Sequence, residues 1–263
     1  MEINHNFKKK FGQNFLTDKN LLESIVNDAG ITSDDVVLEI GAGAGALTEP
    51  LSCHAKKVVS FEIDKELIPL LNEKFAGKDN VQFVFGDFLS FSEEEIFALV
   101  GEKFKVVANL PYYITTPILS KLFEMEHAPE TVVVMVQKEV AERLVADEKS
   151  SAYGYFSAYV SAYAKAKITR QVNRKMFTPM PNVDSAIVRF DLKKNTYEKE
   201  FSLFLQNVFK MKRKTLANNI SSAYNLSKEE IDKKLENSNF SSKDRADNLS
   251  VSSLYEIYCL LFK

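Results

Sequence analysis

The sequence predicts an α/β protein built on a mostly parallel β-sheet, with a small helical domain at its C-terminal end. Short apolar segments alternate with helical segments between residues 36 and 145, which is typical of a parallel sheet covered on both faces. A glycine-rich turn joins the first of these strands to the helix after it. Beyond residue 193 the apolar residues recur with helical spacing.

The composition is that of a globular protein with no general preference for anionic partners. The 263 residues allow one large domain and a small one, and the formal net charge is -2. A nucleic-acid surface must therefore be a local patch. Cys53 and Cys259 are the only cysteines, so we expect a reducing compartment, no disulfide framework and no metal site. With no signal-peptide pattern and no apolar run of membrane-spanning length, we expect a cytoplasmic protein.

The chain begins with a polar, basic segment and a helix. Residues 1–20 contain the run Gly-Gln-Asn at 12–14, which favours an ordered loop over a helix. From Asp18 to Ala29 the apolar residues have helical spacing. Asp18 is the expected N-cap residue, and Gly30 is the expected stop signal.

A strand, a glycine turn and a second strand predict a cofactor site. Residues 36–40 form the first strand, and the turn after it contains Gly41, Gly43 and Gly45. Glycines let the backbone approach a ligand closely at the amino end of a helix. The second strand spans residues 58–64. Glu62 lies at its carboxyl end, 21 residues beyond Gly41, where a carboxylate can accept hydrogen bonds from both ribose hydroxyls. We therefore predict an adenosine-containing cofactor.

The alternation then continues through several further elements. The expected helices are 66–75, 93–100, 117–124, 137–145 and 153–164, and the expected strands are 81–85, 105–108 and 131–136. Two edge strands, 165–172 and 184–192, follow, joined by a stiff proline-bearing linker that holds Phe177 in place. The charged segment 193–200 is the expected boundary between a domain of residues 1–192 and a helical domain of residues 193–263.

The stretch from Val106 to Tyr113 carries the expected chemistry. A β-branched strand runs into Asn109 and Leu110, and Pro111 prevents the ladder from continuing. The Asn109 side chain and the Leu110 carbonyl are thus presented at a strand's carboxyl end, where open α/β sheets bind ligands. Two adjacent acceptors followed by the ring of Tyr112 suit a planar heterocycle that bears an NH2 group. The alternative is an Asx turn with a buried tyrosine.

Two further groups support a ligand and a nucleic-acid partner. Asp87 follows another strand, so it joins Glu62 and Asn109 as a third acid or amide at a carboxyl end. Between residues 201 and 228 there are five basic residues and no acid: Lys210, Lys212, Arg213, Lys214 and Lys228. We expect this segment, and Lys210, Lys212, Arg213 and Lys214 in particular, to contact an RNA backbone.

Methyl transfer fits this set of residues better than hydrolytic or metal chemistry. The sulfonium of S-adenosylmethionine is already activated, so the protein needs only to align and tune the nucleophile. An aromatic amine is a poor nucleophile because its lone pair is delocalised into the ring. Acceptors at Asn109 and Leu110 favour a pyramidal nitrogen and stabilise its developing positive charge. Tyr112 is expected to stack on a base that is flipped out or lies in a single-stranded loop.

Six segments together resemble the KsgA family of small-subunit ribosomal RNA adenine dimethyltransferases, which is related to the Erm resistance methyltransferases. They are residues 11–16 (Phe-Gly-Gln-Asn-Phe-Leu), 39–45 (Glu-Ile-Gly-Ala-Gly-Ala-Gly), 109–112 (Asn-Leu-Pro-Tyr), 137–144, 177–185 and 213–216. The resemblance covers nearly the whole chain. It implies a Rossmann-like S-adenosylmethionine-dependent methyltransferase fold with a small C-terminal helical domain.

The resemblance also implies a substrate and a set of site residues. The substrate is a pair of adjacent adenines in the hairpin loop near the 3′ end of small-subunit (16S) rRNA, dimethylated at N6 by a monomer acting on an assembling ribosomal particle. The implied cofactor residues are Asn14, Leu16, Gly41, Gly43, Glu62, Asp87 and Asn109. The implied target-base residues are Asn109, Leu110, Tyr112 and, as a second stacking ring, Phe177.

Two departures from the family pattern and three alternatives remain. Tyr113 stands where the family usually has asparagine, and residues 146–152 replace its usual loop. An Erm-type enzyme acting on large-subunit RNA is the nearest alternative, although residues 213–216 and 245–250 favour the KsgA family. An NAD-dependent dehydrogenase would share the glycine turn but leave Asn109 and the basic segment without a purpose. A non-catalytic RNA-binding assembly factor is the third alternative.

Overall fold

The structure is a computed structural model that describes residues 15–16, 18–111, 114–148, 150–193 and 197–263. The expected N-terminal loop with Asn14, and the pair Tyr112 and Tyr113, lie outside the described residues. The chain divides into two compact units. The first comprises Met1–Ala141 and Lys167–Leu192, and the second comprises Glu142–Ala166 and Lys193–Lys263.

The first unit alternates strands and helices as predicted. Its strands are β1 (Phe15–Leu16), β2 (Val36–Ile40), β3 (Lys57–Glu62), β4 (Val81–Phe85), β5 (Lys105–Asn109), β6 (Thr131–Gln137), β7 (Ala164–Val172, from Lys167 on), β8 (Phe177–Thr178) and β9 (Ser185–Leu192). Its helices are α1 (Lys19–Ala29), α2 (Thr48–His54), α3 (Ile68–Lys74), α4 (Glu93–Val100), α5 (Thr115–Glu124) and the start of α6 (Lys138–Leu144).

Seven strands form one sheet in the order β4-β3-β2-β5-β6-β9-β7. The pairs β3–β4, β2–β3, β2–β5 and β5–β6 are parallel, so their carboxyl ends lie along one edge. The central strands are buried on both faces because helices cover them, and Val37, Val58, Val107 and Val133 are fully enclosed. This α/β fold with a parallel-dominated sheet confirms the predicted fold class.

One strand prediction is wrong in its placement. The segment that ends at residue 192 was expected at an edge, but β9 lies between β6 and β7 and pairs antiparallel with β6, Val188 opposite Val134. Ala186, Ile187, Val188 and Phe190 are fully buried. The strand carries consecutive apolar residues, which is the pattern of an interior strand rather than a half-exposed edge.

Aspartate side chains cap α1 and the 3-10 turn that precedes α3. Asp18 accepts a hydrogen bond from the backbone N–H of Leu21, and Gly30 ends α1 in the left-handed conformation, both as predicted. The helix predicted from residue 66 instead starts as a 3-10 turn, Lys65–Leu67, which Asp64 caps. The α-helical part begins at Ile68, with a proline in its first turn, where a missing N–H costs nothing.

The second unit is helical. It contains the end of α6, then α7 (Tyr155–Tyr163), α8 (Lys199–Val208), α9 (Leu216–Tyr224), α10 (Lys228–Leu235) and α11 (Val251–Phe262). Its core is rich in aromatic rings, with Phe201 and Phe204 fully buried. Tyr153 and Ala158 pack into the same core. This packing explains why residues 142–166 fall in the second unit, whereas the sequence placed its boundary only at residue 193.

Candidate active site

A cavity of about 130 Å³ opens at the carboxyl ends of the parallel strands. All eight predicted cofactor and target-base residues of the described chain line it: Leu16, Gly41, Gly43, Glu62, Asp87, Asn109, Leu110 and Phe177. They come from six segments: the ends of β2, β3, β4 and β5 in the large sheet, and the paired strands β1 and β8. The sheet order explains their meeting, because the carboxyl ends of β4, β3, β2 and β5 are neighbours.

The turn after β2 is held against the end of β3 by its own backbone. The N–H groups of Gly41 and Ala42 both donate to the carbonyl of Phe61, at 2.8 and 3.0 Å. Gly41 has φ 88°, a backbone conformation that residues other than glycine rarely adopt. A Cβ atom added there would lie 3.8 Å from the backbone oxygen of Asn109, so the turn runs beside the β5 end of the cavity.

Glycine is also required where the turn enters α2. A Cβ atom at Gly45 would lie only 2.5 Å from the ring of Phe75. The ammonium of Lys74 donates to the carbonyls of Ala44 and Gly45, at 3.3 and 3.0 Å. The C-terminal end of α3 thus both packs against the turn, through Phe75, and donates hydrogen bonds to it, through Lys74.

The carboxylate of Glu62 lies at the end of β3 and is tied to two backbone segments. It accepts hydrogen bonds from the N–H of Gly43 at 2.7 Å and from the N–H of Asp64 at 2.8 Å. Burial raises the pKa of this carboxyl, and the two backbone bonds oppose that rise. A carboxylate has about four acceptor positions, so the same oxygens can also accept ribose hydroxyls.

A second buried acid, Glu39, lies under the turn. Its Oε2 accepts from the hydroxyls of Thr48 and Ser60, both at 2.6 Å. Its Oε1 has no hydrogen-bond partner among the described residues. Burial raises the pKa of Glu39 from 4.5 to about 7. The neutral, protonated form of Glu39 is therefore well populated near neutral pH, and it joins β2, β3 and the first turn of α2.

Asp87 begins the loop that follows β4. Its Oδ1 accepts from the N–H of Leu89 at 3.0 Å and so caps the 3-10 turn Phe88–Ser90. The carboxylate is exposed and borders the cavity. Phe88 is buried and its ring meets that of Phe61 edge to face, with 5.3 Å between centroids. The loop is therefore anchored by Phe88, next to an exposed acid that borders the cavity.

Asn109 and Leu110 end β5 at the same cavity. Asn109 is the last residue of the strand and pairs with Met135 of β6. Leu110 is buried, and Pro111 follows it outside the ladder. The two groups that were predicted to act as acceptors are thus held by a buried strand on one side and a proline on the other.

Leu16 and Phe177 are brought together by a two-stranded ribbon. β1 pairs antiparallel with β8, with Leu16 directly opposite Phe177. Both side chains are buried and line the cavity. Arg174 holds the linker that carries Phe177: its N–H donates to Asp184, and its guanidinium donates to the carbonyl of Asn182.

The predicted RNA-binding residues lie in the second unit, and one of them, Lys212, makes hydrogen bonds within it. The ammonium of Lys212 donates to the carbonyls of Tyr153 and Ser151, at 3.0 and 3.4 Å. It therefore holds the segment before α7. All four residues are exposed, and within the described chain the side chains of Lys210, Arg213 and Lys214 make no hydrogen bond or ion pair.

Across the residues described, no three His, Cys, Asp or Glu side chains are grouped so as to hold a metal ion. Of the helices that the structure describes, none has the length and apolar character of a membrane span.

Sequence reasoning did not identify three residues near the site. Glu39 was named only as the first residue of the 39–45 segment. An acid within an apolar strand does, however, indicate a buried polar contact. Ile63 lines the cavity and is 44% exposed, yet one apolar residue after Glu62 has no distinct pattern. Lys121 donates to three backbone carbonyls in the Asp87 loop, and these partners are more than 25 residues away in the chain.

The sequence matches the model of a protein family described as "Ribosomal RNA adenine dimethylase" over residues 4–263. It is also similar to the protein named "Ribosomal RNA small subunit methyltransferase A" of Bacillus licheniformis. The two are 42% identical over 259 residues, which cover 93% of this chain and 88% of that protein.

Two solved structures share the architecture. A dimethyladenosine transferase from Plasmodium falciparum superposes with a TM-score of 0.77 and 29% identity, covering 92% of this chain and 95% of that one. The 23S rRNA methyltransferase ErmE superposes with a TM-score of 0.74 and 24% identity, covering 95% of this chain and all of that one. The second likeness concerns the fold alone.

Proposed function

The chain belongs to the family of ribosomal RNA adenine dimethylases, and we propose that it transfers methyl groups from S-adenosylmethionine to two adjacent adenines of small-subunit rRNA. The acceptor atoms are the exocyclic N6 nitrogens in the hairpin loop near the 3′ end. The observation that carries the proposal is a single cavity that brings together Glu62, Asp87, Asn109 and Leu110. It combines acceptors for a nucleoside cofactor with acceptors for an amino group.

The cofactor side of the cavity is formed by β2, β3 and β4. Glu62 is oriented by the N–H groups of Gly43 and Asp64 and is suited to ribose hydroxyls. Asp87 offers a carboxylate to the amino group of the cofactor's adenine. Gly41 and Leu16 supply backbone and apolar contacts, and the resemblance assigns Asn14 to the same set. When bound, S-adenosylmethionine supplies a methyl group on an activated sulfonium.

The substrate side is formed by the end of β5. The side-chain oxygen of Asn109 and the carbonyl of Leu110 accept hydrogen bonds from the N6 amino group of the target adenine. These bonds draw the amino nitrogen out of conjugation with the ring, which frees its lone pair for attack. As positive charge develops on the nitrogen, the same two acceptors stabilise it. The nitrogen releases one proton for each methyl group that it gains.

Aromatic side chains hold the target base. Phe177 is buried in the cavity wall, and its position is set by pairing with Leu16 and by the Arg174 contacts. The resemblance assigns Tyr112 as the other stacking ring. Stacking on aromatic rings restores part of the stacking energy that the base loses when it leaves the RNA loop.

The RNA backbone is bound by Lys210, Arg213 and Lys214. These exposed side chains follow one another closely in the chain, and the surrounding segment contains no acid. Lys212 is exposed as well, but two of its three ammonium donors already bond to carbonyls, so we assign it first to holding the segment before α7. Contacts to phosphates supply affinity without sequence preference, so selection of the adenines falls to the cavity.

The proposal includes the setting of the reaction. The protein acts as a monomer on an assembling small-subunit particle in the cytoplasm. A ribosomal RNA substrate and the two free thiols, Cys53 and Cys259, support a reducing compartment.

The competing assignments are less well supported. The Bacillus licheniformis relative, which is named as a small-subunit enzyme, is 42% identical, whereas the likeness to ErmE is confined to the fold. A dehydrogenase would not need the Asn109–Leu110 acceptors. A purely structural assembly factor would not need Glu62, Asp87 and Asn109 in one cavity.

The direct test is methylation of small subunits that lack the modification. Purified protein and labelled S-adenosylmethionine are incubated with these particles, and the digested rRNA is examined by mass spectrometry. The expected product is two N6,N6-dimethyladenosines per small subunit, with no label in large subunits treated in parallel. Label confined to the large subunit would support the Erm-type alternative, and no label in either would contradict a catalytic role.

A further inference from the structure

Lys121 of α5 makes an unusual set of contacts with the Asp87 loop. Its ammonium donates to the carbonyls of Phe88 and Leu89, both at 3.1 Å, and to the carbonyl of Phe91. The negative ends of three carbonyl dipoles therefore converge on one cation. These are carbonyls of the 3-10 turn that Asp87 caps and of the residue after it.

The rest of this loop is closely packed. The Lys121 ammonium lies over the ring of Phe88, with 5.2 Å between its nitrogen and the ring centroid. The ring of Phe91 contacts that of Phe61 edge to face, with 5.0 Å between centroids. A Cβ atom added at Gly86 would lie 2.9 Å from the ring of Phe91. Burial lowers the pKa of Lys121, whereas the negative charges of Asp87 and Glu95 raise it.

Lys121 also belongs to the element that follows the acceptor motif. β5 ends at Asn109, and α5 begins at Thr115. Buried residues of α5, including Ile118 and Leu122, fix the helix against the first unit's core. The Lys121 ammonium therefore joins the loop of Asp87 to the helix that follows Asn109 and Leu110.

We propose that Lys121 is a positioning residue for cofactor recognition: it holds the Asp87 loop so that the carboxylate of Asp87 faces the adenine of S-adenosylmethionine. Without the cation, three carbonyl oxygens would face one another with no shared donor. The turn would open to reach water. Because Asp87 is the cap of that turn, its carboxylate would move as well. This inference rests on the proposed function, which assigns Asp87 to the cofactor.

A double-mutant cycle tests this role. S-adenosylmethionine affinity is measured by calorimetry for the wild type, Lys121→Met, Asp87→Ala and the double variant, and thermal unfolding is followed for each. Lys121→Met should weaken cofactor binding about tenfold in the wild-type background. With Asp87 already removed, the same change should weaken binding by less than about twofold, because coupled residues are not additive. Thermal unfolding confirms that each variant is folded at the temperature of the binding measurement.

Lys57 provides a matched control. Its ammonium also donates to a backbone carbonyl, that of Leu99 at 2.8 Å. It starts β3, the strand that Glu62 ends, so it lies at the opposite end of the sheet from the cavity. Lys57→Met should lower the unfolding temperature but leave cofactor affinity unchanged. Lys121→Arg, which keeps a cationic donor, should recover most of the affinity that Lys121→Met loses.

The outcomes separate this inference from the proposed function. Equal losses of affinity in the two backgrounds, or unchanged affinity in a folded Lys121→Met variant, would overturn the positioning role. Wild-type protein that binds the cofactor and methylates small subunits would still uphold the proposed function in that case. A wild type that binds no S-adenosylmethionine would overturn both. If Lys121→Met does not fold, Lys121→Gln replaces it in the cycle under the same criteria.

Discussion

The Glu62 carboxylate accepts a hydrogen bond of 2.7 Å from the backbone N–H of Gly43. This bond joins the end of β3 to the glycine turn after β2. The other carboxylate oxygen of Glu62 accepts a hydrogen bond from the N–H of Asp64. The acid is therefore oriented before any ligand binds. Preorganisation of this kind lowers the ordering cost that binding must overcome.

Replacing Glu62 should impair cofactor binding. Glu62→Ala removes charge-assisted acceptors for the ribose hydroxyls, and each such bond contributes about 1.5–3 kcal/mol. We expect calorimetry with S-adenosylmethionine to show a loss of affinity in that range or above. Glu73→Ala, at an exposed acid of α3, is the control and should bind normally. Unchanged affinity in a folded Glu62→Ala protein would exclude the ribose assignment.

Asn109 should matter to chemistry more than to RNA binding. Its hydrogen bond to the adenine amino group strengthens as charge appears on the nitrogen. Asn109→Ala should reduce the single-turnover rate by about 10²–10³-fold, the usual effect of one lost transition-state contact. RNA affinity should stay nearly constant because phosphate contacts dominate it. Rapid-quench methyl transfer on unmodified small subunits, at saturating cofactor, measures this rate, and a near-wild-type value would remove Asn109 from the mechanism.

The exposed basic residues of the second unit should set the salt dependence of RNA binding. Replacing Arg213 and Lys214 together by Gln should reduce the slope of log K against log salt by about 0.7–0.9 per lost contact. Lys212→Met should instead lower the unfolding temperature, because it releases the carbonyls of Tyr153 and Ser151. Binding titrations over a range of salt concentrations, with Lys233→Gln of α10 as control, distinguish the two roles. If replacing Arg213 and Lys214 leaves the slope unchanged, these side chains are solvated charges that do not contact RNA phosphates.

Glu39 should make the folded state less stable as pH rises from about 4.5 to about 7. The pKa of Glu39 is 4.5 when the side chain is solvated, as in the unfolded chain, and about 7 in the folded protein. Between these two pH values the folded protein keeps a proton that the unfolded chain releases. Stability falls wherever the folded state binds more protons. The expected loss is about 3 kcal/mol, complete above the folded pKa.

Glu39→Gln isolates this effect because glutamine resembles the protonated acid in shape and stays neutral. Urea unfolding of wild type and variant at pH 5 and pH 8 should show the variant gaining relative stability at the higher pH. Other titrating groups cancel in the difference. Parallel pH dependence for the two proteins would mean that Glu39 is ionised inside the fold.

The sequence alone determined the fold class and most of the candidate site. Strand and helix periods are local properties of a sequence. Each expected site group, namely the glycine turn, Glu62, Asp87 and Asn109, lies at or just after the carboxyl end of a recognisable strand. Parallel strands bring their carboxyl ends to one edge, so the meeting of these groups in a single cavity followed from topology. The resemblance added Leu16 and Phe177, which no local pattern would have joined.

Tertiary structure decided the features that depend on distant partners. β9 became an interior strand because β7 covers its outer edge, and residues 142–166 joined the second unit because their apolar side chains pack there. The lysines show the same principle most clearly. Lys212 and Lys121 are charges like any others in the sequence, but each ammonium donates to carbonyls of a distant segment. A long side chain finds its acceptors only when the fold brings them within reach.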